Sequence, residues 1–274
     1  STVTAMTGAL LAAGGYRVRV GGNFGPPALD LLAQDSVAPD FYVLELSSFQ
    51  LETTFSLRPA AAVVLNISAD HMDRYRSLAE YAAAKGRIYH GARVAVVNLD
   101  DPGAARLGAR AERRIGFSLG VPEDGEFGIR EHDGALWLAE GDRALLPAGA
   151  LALAGGHNRA NALAALALVR ALDIDPAPLA SALAEFEGLP HRTRLVAEFN
   201  GVQWYDDSKG TNVGATAAAI GGMDRPVVLI AGGDGKGADF GPLRAPVEQR
   251  ARAVVLLGRD APALAQALRE TVPI

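Results

Sequence analysis

The chain contains no cysteine among its 274 residues. Disulfide bonds and thiolate metal sites are therefore excluded, and a metal ion would need Asp, Glu, His, hydroxyl groups or a modified lysine as ligands. No uninterrupted apolar run of about 18 residues is present, so we expect no membrane partner. The net charge of −5 comes without a basic stripe, which argues against nucleic acid as a partner. No secretory signal is apparent, and the expected location is cytoplasmic.

Lysine is nearly absent as well. Of the 26 basic residues only three are lysines, Lys85, Lys209 and Lys236. An ammonium group is a compact charge with an adjustable pKa, whereas guanidinium stays planar and protonated. A chain that otherwise uses arginine has therefore kept lysine where an amine is needed. A codon bias that left three lysines by chance is the alternative.

The order of the predicted elements indicates an α/β protein of one large or two ordinary domains. A helix over residues 1–13 ends at Gly14-Gly15. Apolar runs predict a mainly parallel sheet buried on both faces, with strands at 17–20, 41–44, 60–65 and 94–98 and a helix at 78–89.

The segment 115–153 has a different pattern. Asp-Gly and Gly-Asp turns predict a small antiparallel meander with strands at 115–118, 127–131, 136–139 and 144–146, followed by helices at 157–172 and 178–186. We interpret Gly188-Leu189-Pro190 as a hinge between domains 1–188 and 189–274. The second domain is predicted to alternate again, with strands at 195–199, 202–205, 227–231 and 254–257 and helices at 213–220, 245–251 and 262–269.

Two polar clusters follow neighbouring strands. Glu45 comes at the end of the strand at 41–44, and His71 lies in Asp70–Asp73 after the next strand. The carboxyl ends of parallel strands are where α/β sheets place ligands. A buried carboxylate needs a partner, and a cation is the simplest one. The clusters predict a metal site; a cap or ion pair for Glu45 and a merely hydrogen-bonded His71 are the alternatives.

Lys85 and the first two residues extend this prediction. Lys85 is either a surface lysine or an amine that has taken up CO₂ to become a carbamate, an anionic oxygen ligand stabilised beside Mg²⁺. Ser1-Thr2 either cap the first helix or end a phosphate loop in which a hydroxyl ligates Mg²⁺.

Further polar groups lie at other helix and strand ends. Asn158 and Asn161 are one helical turn apart, and their amides suit the edge of an adenine ring, with helix capping by Asn158 as the alternative. Arg192, in the predicted hinge, either reaches a nucleotide phosphate or is solvated. The loops Asp206–Asn212 and Gly232–Gly237 permit close approach to an anion, although each is also a common kind of turn.

Together these segments resemble the Mur ligases, ATP-dependent amide-forming enzymes of peptidoglycan precursor synthesis. The strings Glu45–Glu52 (ELSSFQLE) and Asp70–Tyr75 (DHMDRY) are specific, whereas the glycine loops are not. The resemblance covers the whole chain in order and is strongest to the members that add D-glutamate.

The resemblance implies a central P-loop-type ATPase domain followed by a partial Rossmann-like domain. It implies that ATP, with two Mg²⁺ ions, converts the carboxylate of UDP-N-acetylmuramoyl-L-alanine into an acyl phosphate, which the amine of D-glutamate attacks. We expect a monomer.

The resemblance also implies residue roles. Ser1 and Glu45 serve the first Mg²⁺, and His71 and a carbamoylated Lys85 the second. The residues implied to contact the nucleotide are Ser1, Thr2, Asn158, Asn161, Arg192 and Asp207. The residues implied to contact the muramoyl substrate are Asn23, Ser47 and Gln50. Those implied to face the incoming glutamate and the charged intermediate are Lys209, Thr211 and Lys236.

The chain also departs from the family pattern. The family's uridine-nucleotide domain and the phosphate-loop lysine are expected before Ser1, and a glutamate-binding segment is expected after Ile274. We therefore expect a piece of an enzyme with little or no ligase activity alone. The alternatives are a related amide ligase that adds another amino acid or acts on folate, and a non-catalytic nucleotide-binding relative. A dehydrogenase is disfavoured because no Gly-x-Gly-x-x-Gly follows a first strand.

Overall fold

A computed structural model of the chain describes residues 1–32, 37–153, 155–235 and 237–274. The chain divides into two compact units, each built from segments that are distant in sequence. The first unit comprises Ser1–Ile67, Ala79–Ala152 and Arg159–Leu189, and the second comprises Ser68–Leu78, Leu153–Asn158 and Pro190–Ile274. The division into contiguous domains 1–188 and 189–274 stays a prediction.

The helices of the first half alternate with strands, as the sequence predicts. They are α1 (Thr2–Ala13), α2 (Ser48–Glu52), α3 (Leu78–Gly86), α4 (Pro102–Gly108) and α5 (Gly156–Ala171). Helix α1 ends before Gly15, which adopts φ +81, a conformation that glycine accepts without steric cost. The segment predicted as a helix at 178–186 is a 3₁₀ helix over Ala177–Leu183, where prolines remove backbone donors, and Arg87–Tyr89 is also 3₁₀.

The strands of the first unit form two sheets. Strands β1 (Val18–Gly22) and β2 (Phe41–Glu45) make a parallel pair, with Gly22 opposite Glu45. The larger sheet has six strands in chain order: β3 (Ala61–Val64), β4 (Val94–Asn98), β5 (Arg114–Phe117), β6 (Phe127–His132), β7 (Ala135–Glu140) and β8 (Arg143–Pro147). Pairing is parallel from β3 to β6 and antiparallel from β6 to β8.

The predicted turn between β6 and β7 is confirmed. The two strands pair up to His132 and Ala135, which leaves Asp133 and Gly134 as a two-residue loop. Both loop residues have positive φ, +50 and +74. This is the type I′ geometry that the twist of a hairpin favours and that Asp-Gly accepts.

The prediction that β5 belongs to an antiparallel meander is wrong. Strand β5 runs parallel to β4, with Ala95 opposite Arg114 and Asn98 opposite Phe117. A parallel connection needs a crossover, and α4 supplies it between these strands. Asp101 and Pro102 indicate the start of this helix in the sequence. In the structure the Asp101 side chain accepts from Ala104 N, and Pro102 lies in the first turn. The antiparallel strands therefore continue the parallel sheet instead of forming a separate one.

Burial of the predicted parallel strands is uneven. The four valine and alanine residues at 94–97 in β4 are buried, as a central strand requires. Strand β2 is only partly buried, and Tyr42 is 43% exposed. The expectation that both faces of this strand are covered is therefore wrong, because β2 lies in a two-stranded sheet with β1.

The second unit has its own hydrophobic core. Its helices are α6 (Val213–Gly222), α7 (Arg244–Arg250) and α8 (Ala261–Ala267), and its strands are β9 (Arg194–Phe199), β10 (Val202–Asp206), β11 (Val227–Gly232) and β12 (Ala251–Leu257). Strands β9 and β10 form an antiparallel hairpin, and β11 and β12 are parallel. The core residues are Ile220, Leu243, Val247, Val254, Leu264 and Leu268. Within the described ranges, no helix is long and apolar enough to cross a membrane.

Candidate active site

The carboxyl ends of β1 and β2 bring Asn23 to Glu45. The backbone N–H of Asn23 donates to the Glu45 carbonyl oxygen at 2.7 Å, and Asn23 Nδ2 donates to Glu45 Oε1 at 3.1 Å. Gly22 allows this approach, because a Cβ at this position would lie 2.3 Å from the Glu45 carbonyl oxygen. Two predicted site residues, 22 positions apart in sequence, are therefore neighbours.

Ser1 lies at the same place. Its amino nitrogen is 2.6 Å from Glu45 Oε2, an oxygen shielded from solvent. Ser1 occupies the N-cap position of α1, but its side chain makes no capping hydrogen bond. The capping interpretation of Ser1 is therefore not supported. Thr2 follows in the first turn of α1.

Burial and hydrogen bonds act in opposite directions on the Glu45 carboxyl group. Partial burial by itself raises the pKa of this carboxyl group. Hydrogen bonds from Ser1 and Asn23 stabilise the carboxylate and oppose that effect. The strand-end position of Glu45 agrees with the sequence analysis, and a metal ion as its partner stays a prediction.

Ser47 and Gln50 contact each other in a capping box at the start of α2. The Gln50 backbone N–H donates to Ser47 Oγ at 3.2 Å, and the Ser47 backbone N–H donates to Gln50 Oε1 at 2.8 Å. The Ser-x-x-Gln spacing is the signal for this arrangement. Contact of these two side chains with a muramoyl substrate stays a prediction.

Lys85 lies in the last turn of α3 in the first unit. It is half-buried, and its Nζ is 4.9 Å from the ring centroid of Tyr81, which is itself buried. The structure therefore does not support the alternative that Lys85 is a fully solvated surface lysine. Carbamoylation of Lys85 stays a prediction.

His71 belongs to the second unit, in a loop that is fixed by Asp70. The His71 backbone N–H donates to Asp70 Oδ1 at 2.9 Å, and Asn212 Nδ2 donates to Asp70 Oδ2 at 3.2 Å. Asn212 also caps α6 by accepting from Ala215 N. The sequence analysis missed Asp70 and Asn212 as residues that position His71. An Asn before an apolar helix signals the cap, but nothing local signals its partner 142 residues away.

The loop with Arg192 and the loop with Asp207 are joined in the second unit. Asp207 Oδ1 accepts from the Thr193 backbone N–H at 2.8 Å and from Thr193 Oγ1 at 3.1 Å. The Lys209 backbone N–H donates to the His191 carbonyl oxygen at 3.0 Å. Arg192 is half-buried and lies between His191 and Thr193, the two residues that are tied to the Asp207 loop. Contact of Arg192 and Asp207 with a nucleotide stays a prediction.

Asp206, next to these residues, is held as an anion by donors. The Ser208 backbone N–H and the His191 ring, 2.6 Å from Asp206 Oδ2, lower the pKa of Asp206 to about 2. The side chains of Lys209 and Thr211 in the same loop are exposed. Lys236, the third lysine of the prediction, lies outside the described residues.

Asn158 and Asn161 are three residues apart on α5. The helix begins at Gly156, so Asn158 lies inside the first turn and not at the capping position. Asn158 is 3% exposed. The helix-cap alternative for Asn158 is therefore wrong, and contact of the two amides with adenine stays a prediction.

His157 is a buried imidazole that the sequence analysis did not single out. Both of its ring nitrogens are shielded from solvent and have no hydrogen-bond partner among the described residues. Glycines make room for it: a Cβ on Gly222 would lie 2.6 Å from Nδ1, and one on Gly155 would lie 3.0 Å from Cε1. Burial lowers the pKa of His157, and the charge of Asp207 opposes this in part.

This burial predicts a pH dependence of stability. Because the folded-state pKa of His157 lies below the ordinary value of about 6.5, the unfolded chain binds a proton more readily. The stability that His157 contributes is present above about pH 6.5 and is lost as the pH falls toward the folded-state pKa. Urea unfolding followed by Trp204 fluorescence between about pH 5.5 and 7.5 tests this, with His157→Leu as the variant expected to flatten the acid limb. An imidazole NMR titration of His157 with a midpoint at or above about pH 6.5 would contradict the prediction.

The metal prediction rests on few acidic and histidine ligands. In the parts of the chain that the structure describes, no group of three or more His, Asp or Glu side chains could hold a metal ion. Each predicted ion uses only one such side chain, Glu45 or His71, beside Ser1 or Lys85. Both ion sites therefore stay predictions.

Comparison with known proteins identifies the family. The model of the Mur ligase middle domain matches residues 1–169, and that of the Mur ligase glutamate ligase domain matches residues 191–273. The chain belongs to the Mur ligase family. The family resemblance stated from the sequence is thus confirmed.

Curated members of the Mur ligase family share about half of the residues. The UDP-N-acetylmuramoylalanine--D-glutamate ligase of Methylobacillus flagellatus is 54% identical over 272 residues, which is 99% of this chain and 59% of that protein. The protein of the same name from Pseudomonas putida is 54% identical over 100% of this chain and 61% of its own length. This Mur ligase chain therefore spans about three fifths of the length of these relatives.

Solved Mur ligase structures share the fold. The UDP-N-acetylmuramate-alanine ligase of Thermotoga maritima matches with a TM-score of 0.62 and 20% identity, over 98% of this chain and 62% of that one. A MurF ligase from Thermotoga maritima, solved in complex with ADP, matches with a TM-score of 0.68 and 18% identity, over 100% of this chain and 67% of that one. These likenesses show the α/β fold with its mainly parallel central sheet.

Proposed function

We propose that the chain is part of an ATP-dependent ligase that joins D-glutamate to UDP-N-acetylmuramoyl-L-alanine in peptidoglycan precursor synthesis. The observation that carries this proposal is the name shared by the curated relatives, UDP-N-acetylmuramoylalanine--D-glutamate ligase, at 52–54% identity over almost the entire chain. Residues 1–188 form the P-loop-type ATPase domain in this proposal, and residues 189–274 form part of a Rossmann-like domain. The enzyme acts as a cytoplasmic monomer.

The proposed reaction forms one amide bond. The alanyl carboxylate takes the γ-phosphoryl group to give an acyl phosphate, and the amine of D-glutamate attacks the carbonyl carbon, so that phosphate leaves. When bound, ATP supplies the phosphoryl group and Mg²⁺ supplies the positive charge that phosphoryl transfer requires. The protein's task is to position the reactants and to neutralise charge where it develops.

Glu45 and Ser1 are the proposed holders of the first Mg²⁺. Glu45 Oε2 is shielded from solvent, and the backbone nitrogen of Ser1 lies 2.6 Å from that oxygen. The site thus presents a carboxylate oxygen at the carboxyl end of a parallel strand. A hydroxyl and a carboxylate oxygen are ligands that suit Mg²⁺.

His71 and Lys85, the latter as a carbamate, are the proposed holders of the second ion. A carbamate turns the lysine into an oxygen ligand, which suits Mg²⁺ better than an ammonium group. The half-buried position of Lys85 on α3, beside the Tyr81 ring, supports a fixed position for this side chain. The Asp70 hydrogen bond to the His71 backbone supports a fixed position for His71.

The nucleotide contacts proposed in the second unit are Asp207 and Arg192. Their loops are tied by the two hydrogen bonds from Thr193 to Asp207. The second oxygen of Asp207 is then left to accept from a ribose hydroxyl. Asn158 and Asn161 face the adenine in this proposal. The ADP bound to the MurF ligase of Thermotoga maritima supports nucleotide binding by this fold.

The proposed substrate contacts form two groups. Asn23, Ser47 and Gln50 contact the muramoyl substrate. Lys209, Thr211 and Lys236 face the carboxylates of the glutamate and the charged intermediate. The exposure of Lys209 and Thr211 supports this, because their side chains are accessible to a ligand.

Amino-acid-dependent phosphate release tests the proposed function. The measurement uses ATP, Mg²⁺, UDP-N-acetylmuramoyl-L-alanine and a protein of the relatives' full length that carries this chain. We expect stimulation by D-glutamate and none by L-glutamate, the matched control of equal charge. Stimulation by another amino acid and not by D-glutamate would point to a different Mur-type or folate-type ligase. No stimulation by any amino acid would favour a non-catalytic relative.

A further inference from the structure

The glycine-rich loop after β11 is held by the loop after β12. The Gly233 backbone N–H donates to the Leu257 carbonyl oxygen, and the Asp260 backbone N–H donates to the Gly233 carbonyl oxygen, both at 3.1 Å. Two side chains add to this. Asp260 Oδ2 accepts from the Gly235 backbone N–H at 2.5 Å, and Arg259 Nη1 donates to Asp234 Oδ2 at 2.8 Å. Arg259 and Asp260 thus hold Asp234 and Gly235 of the glycine loop.

The carboxylate of Asp260 is not used as a helix cap. Asp260 occupies the N-cap position of α8, where an aspartate usually accepts a hydrogen bond from the first turn and stabilises the helix by about 1 kcal/mol. Its side chain makes no such bond. The only role that the described contacts give this carboxylate is acceptance from the Gly235 N–H. A charged acceptor makes this bond stronger than a neutral one would.

The two loops approach each other so closely that a side chain could not be added at Gly235 or Gly258 without moving the neighbouring atoms. A Cβ on Gly235 would lie 2.5 Å from the Phe240 ring and 3.2 Å from Asp260 Oδ2. A Cβ on Gly258 would lie 2.6 Å from the Gly233 nitrogen. The backbone of Gly232–Gly235 is therefore closely surrounded by the Phe240 ring and by the loop after β12.

We propose that Asp260 is a positioning residue, which fixes the backbone of the loop Gly232–Gly235 for the amino-acid substrate of the ligase reaction. This rests on the proposed function, in which this loop approaches an anion. Asp260 acts through the Gly235 N–H and does not touch the substrate. Because the Gly235 N–H loses its acceptor when the carboxylate is removed, the loop is released at that residue.

The first test measures the contact itself in this 274-residue chain. In Asp260→Ala we expect the Gly235 amide proton to move upfield and to exchange about tenfold faster or more. Asp239→Ala is the matched control, since Asp239 also accepts from a glycine, Gly241 N, at 2.9 Å in the same unit. The control is expected to leave Gly235 unchanged. An unchanged Gly235 amide in Asp260→Ala would overturn the proposal.

The second test measures kinetics in a protein of the relatives' full length that carries this chain. In Asp260→Ala we expect the KM for the amino acid to rise about tenfold or more, with the KM for ATP within about twofold. Asp260→Asn, which keeps an acceptor oxygen, is expected to lie between Asp260→Ala and the unsubstituted protein. Asp260→Ser is expected to behave like Asp260→Ala, because serine can cap a helix but is too short to reach Gly235.

The outcomes separate this proposal from its alternatives. An Asp260→Ser protein with an unchanged amino-acid KM would assign Asp260 to helix capping and overturn the proposal. An equal rise in the KM for the amino acid and the KM for ATP would show that Asp260 serves general stability. This result would also overturn the proposal. If Asp260→Ala fails to fold, Asp260→Asn carries the test. The amino-acid requirement of the unsubstituted protein tests the proposed function separately, and the KM of whichever amino acid it uses is then the readout.

Discussion

Lys85→Ala is expected to lower ligase turnover about 10³-fold or more in a protein of the relatives' full length that carries this chain. The physical reason is the loss of the carbamate oxygen ligand proposed for the second Mg²⁺. Without it, negative charge on the transferring phosphoryl group is left without part of its compensation. The measurement is amino-acid-dependent phosphate release at saturating ATP and Mg²⁺.

Two further measurements separate a carbamate from an ordinary lysine. Lys85→Arg keeps the positive charge and a stacking contact with the Tyr81 ring, which lies 4.9 Å from Lys85 Nζ, but cannot take up CO₂. It is expected to be as inactive as Lys85→Ala. Added acetate or formate is expected to restore part of the activity of Lys85→Ala by supplying a carboxylate. Activity retained in Lys85→Arg would show that charge and stacking are sufficient, and the carbamate would be abandoned.

Gly22→Ala is expected to destabilise the first unit by about 3 kcal/mol or more. Two effects add. Gly22 has φ +107, a conformation that costs a residue with a Cβ about 1–2 kcal/mol. The new Cβ would also lie 2.3 Å from the Glu45 carbonyl oxygen, which the β1–β2 pairing holds in place. The strand ends must therefore separate where Asn23 and Glu45 meet.

Gly15→Ala is the matched control for Gly22→Ala. Gly15 also has positive φ, +81, but a Cβ there would meet nothing within 4 Å. This control is expected to lose only the conformational part, about 1 kcal/mol. The two tryptophans lie in different units, at residues 137 and 204, so Trp137 fluorescence in a Trp204→Phe background follows urea unfolding of the first unit. An equal loss of unfolding free energy in the two glycine variants would show that the close contact with the Glu45 carbonyl oxygen adds no destabilisation.

Much of the secondary structure could be predicted because its signals are local. The apolar run at 94–98 predicts β4 with its observed bounds, and Asp133-Gly134 predicts a hairpin turn. The direction of β5 could not be predicted in this way. A short apolar strand has the same residues in parallel and antiparallel pairing, and the partner decides. The crossover helix α4, signalled by Asp101-Pro102, is the feature that would have decided it.

The candidate site could be predicted only as a set of residues. The strand-end position of Glu45 follows from the sequence. Its contact with Asn23 depends on the parallel register of β1 and β2. The pairing of Asp70 with Asn212 joins residues 142 positions apart, and no local pattern encodes it. The orphaned nitrogens of His157 and the reach of Asp260 also arise only from tertiary packing.

The assembly of the second unit from three stretches of chain limits how the activity can be re-engineered. A chimaera made by joining two ligases at residue 189 would import Gly214 and Gly222 but not their partners. A Cβ on Gly214 would lie 2.7 Å from Ser68, and Gly222 packs on His157, and both partners precede the junction. Exchange of amino-acid specificity between family members would therefore need residues 68–78 and 153–158 to be transplanted together with the C-terminal part.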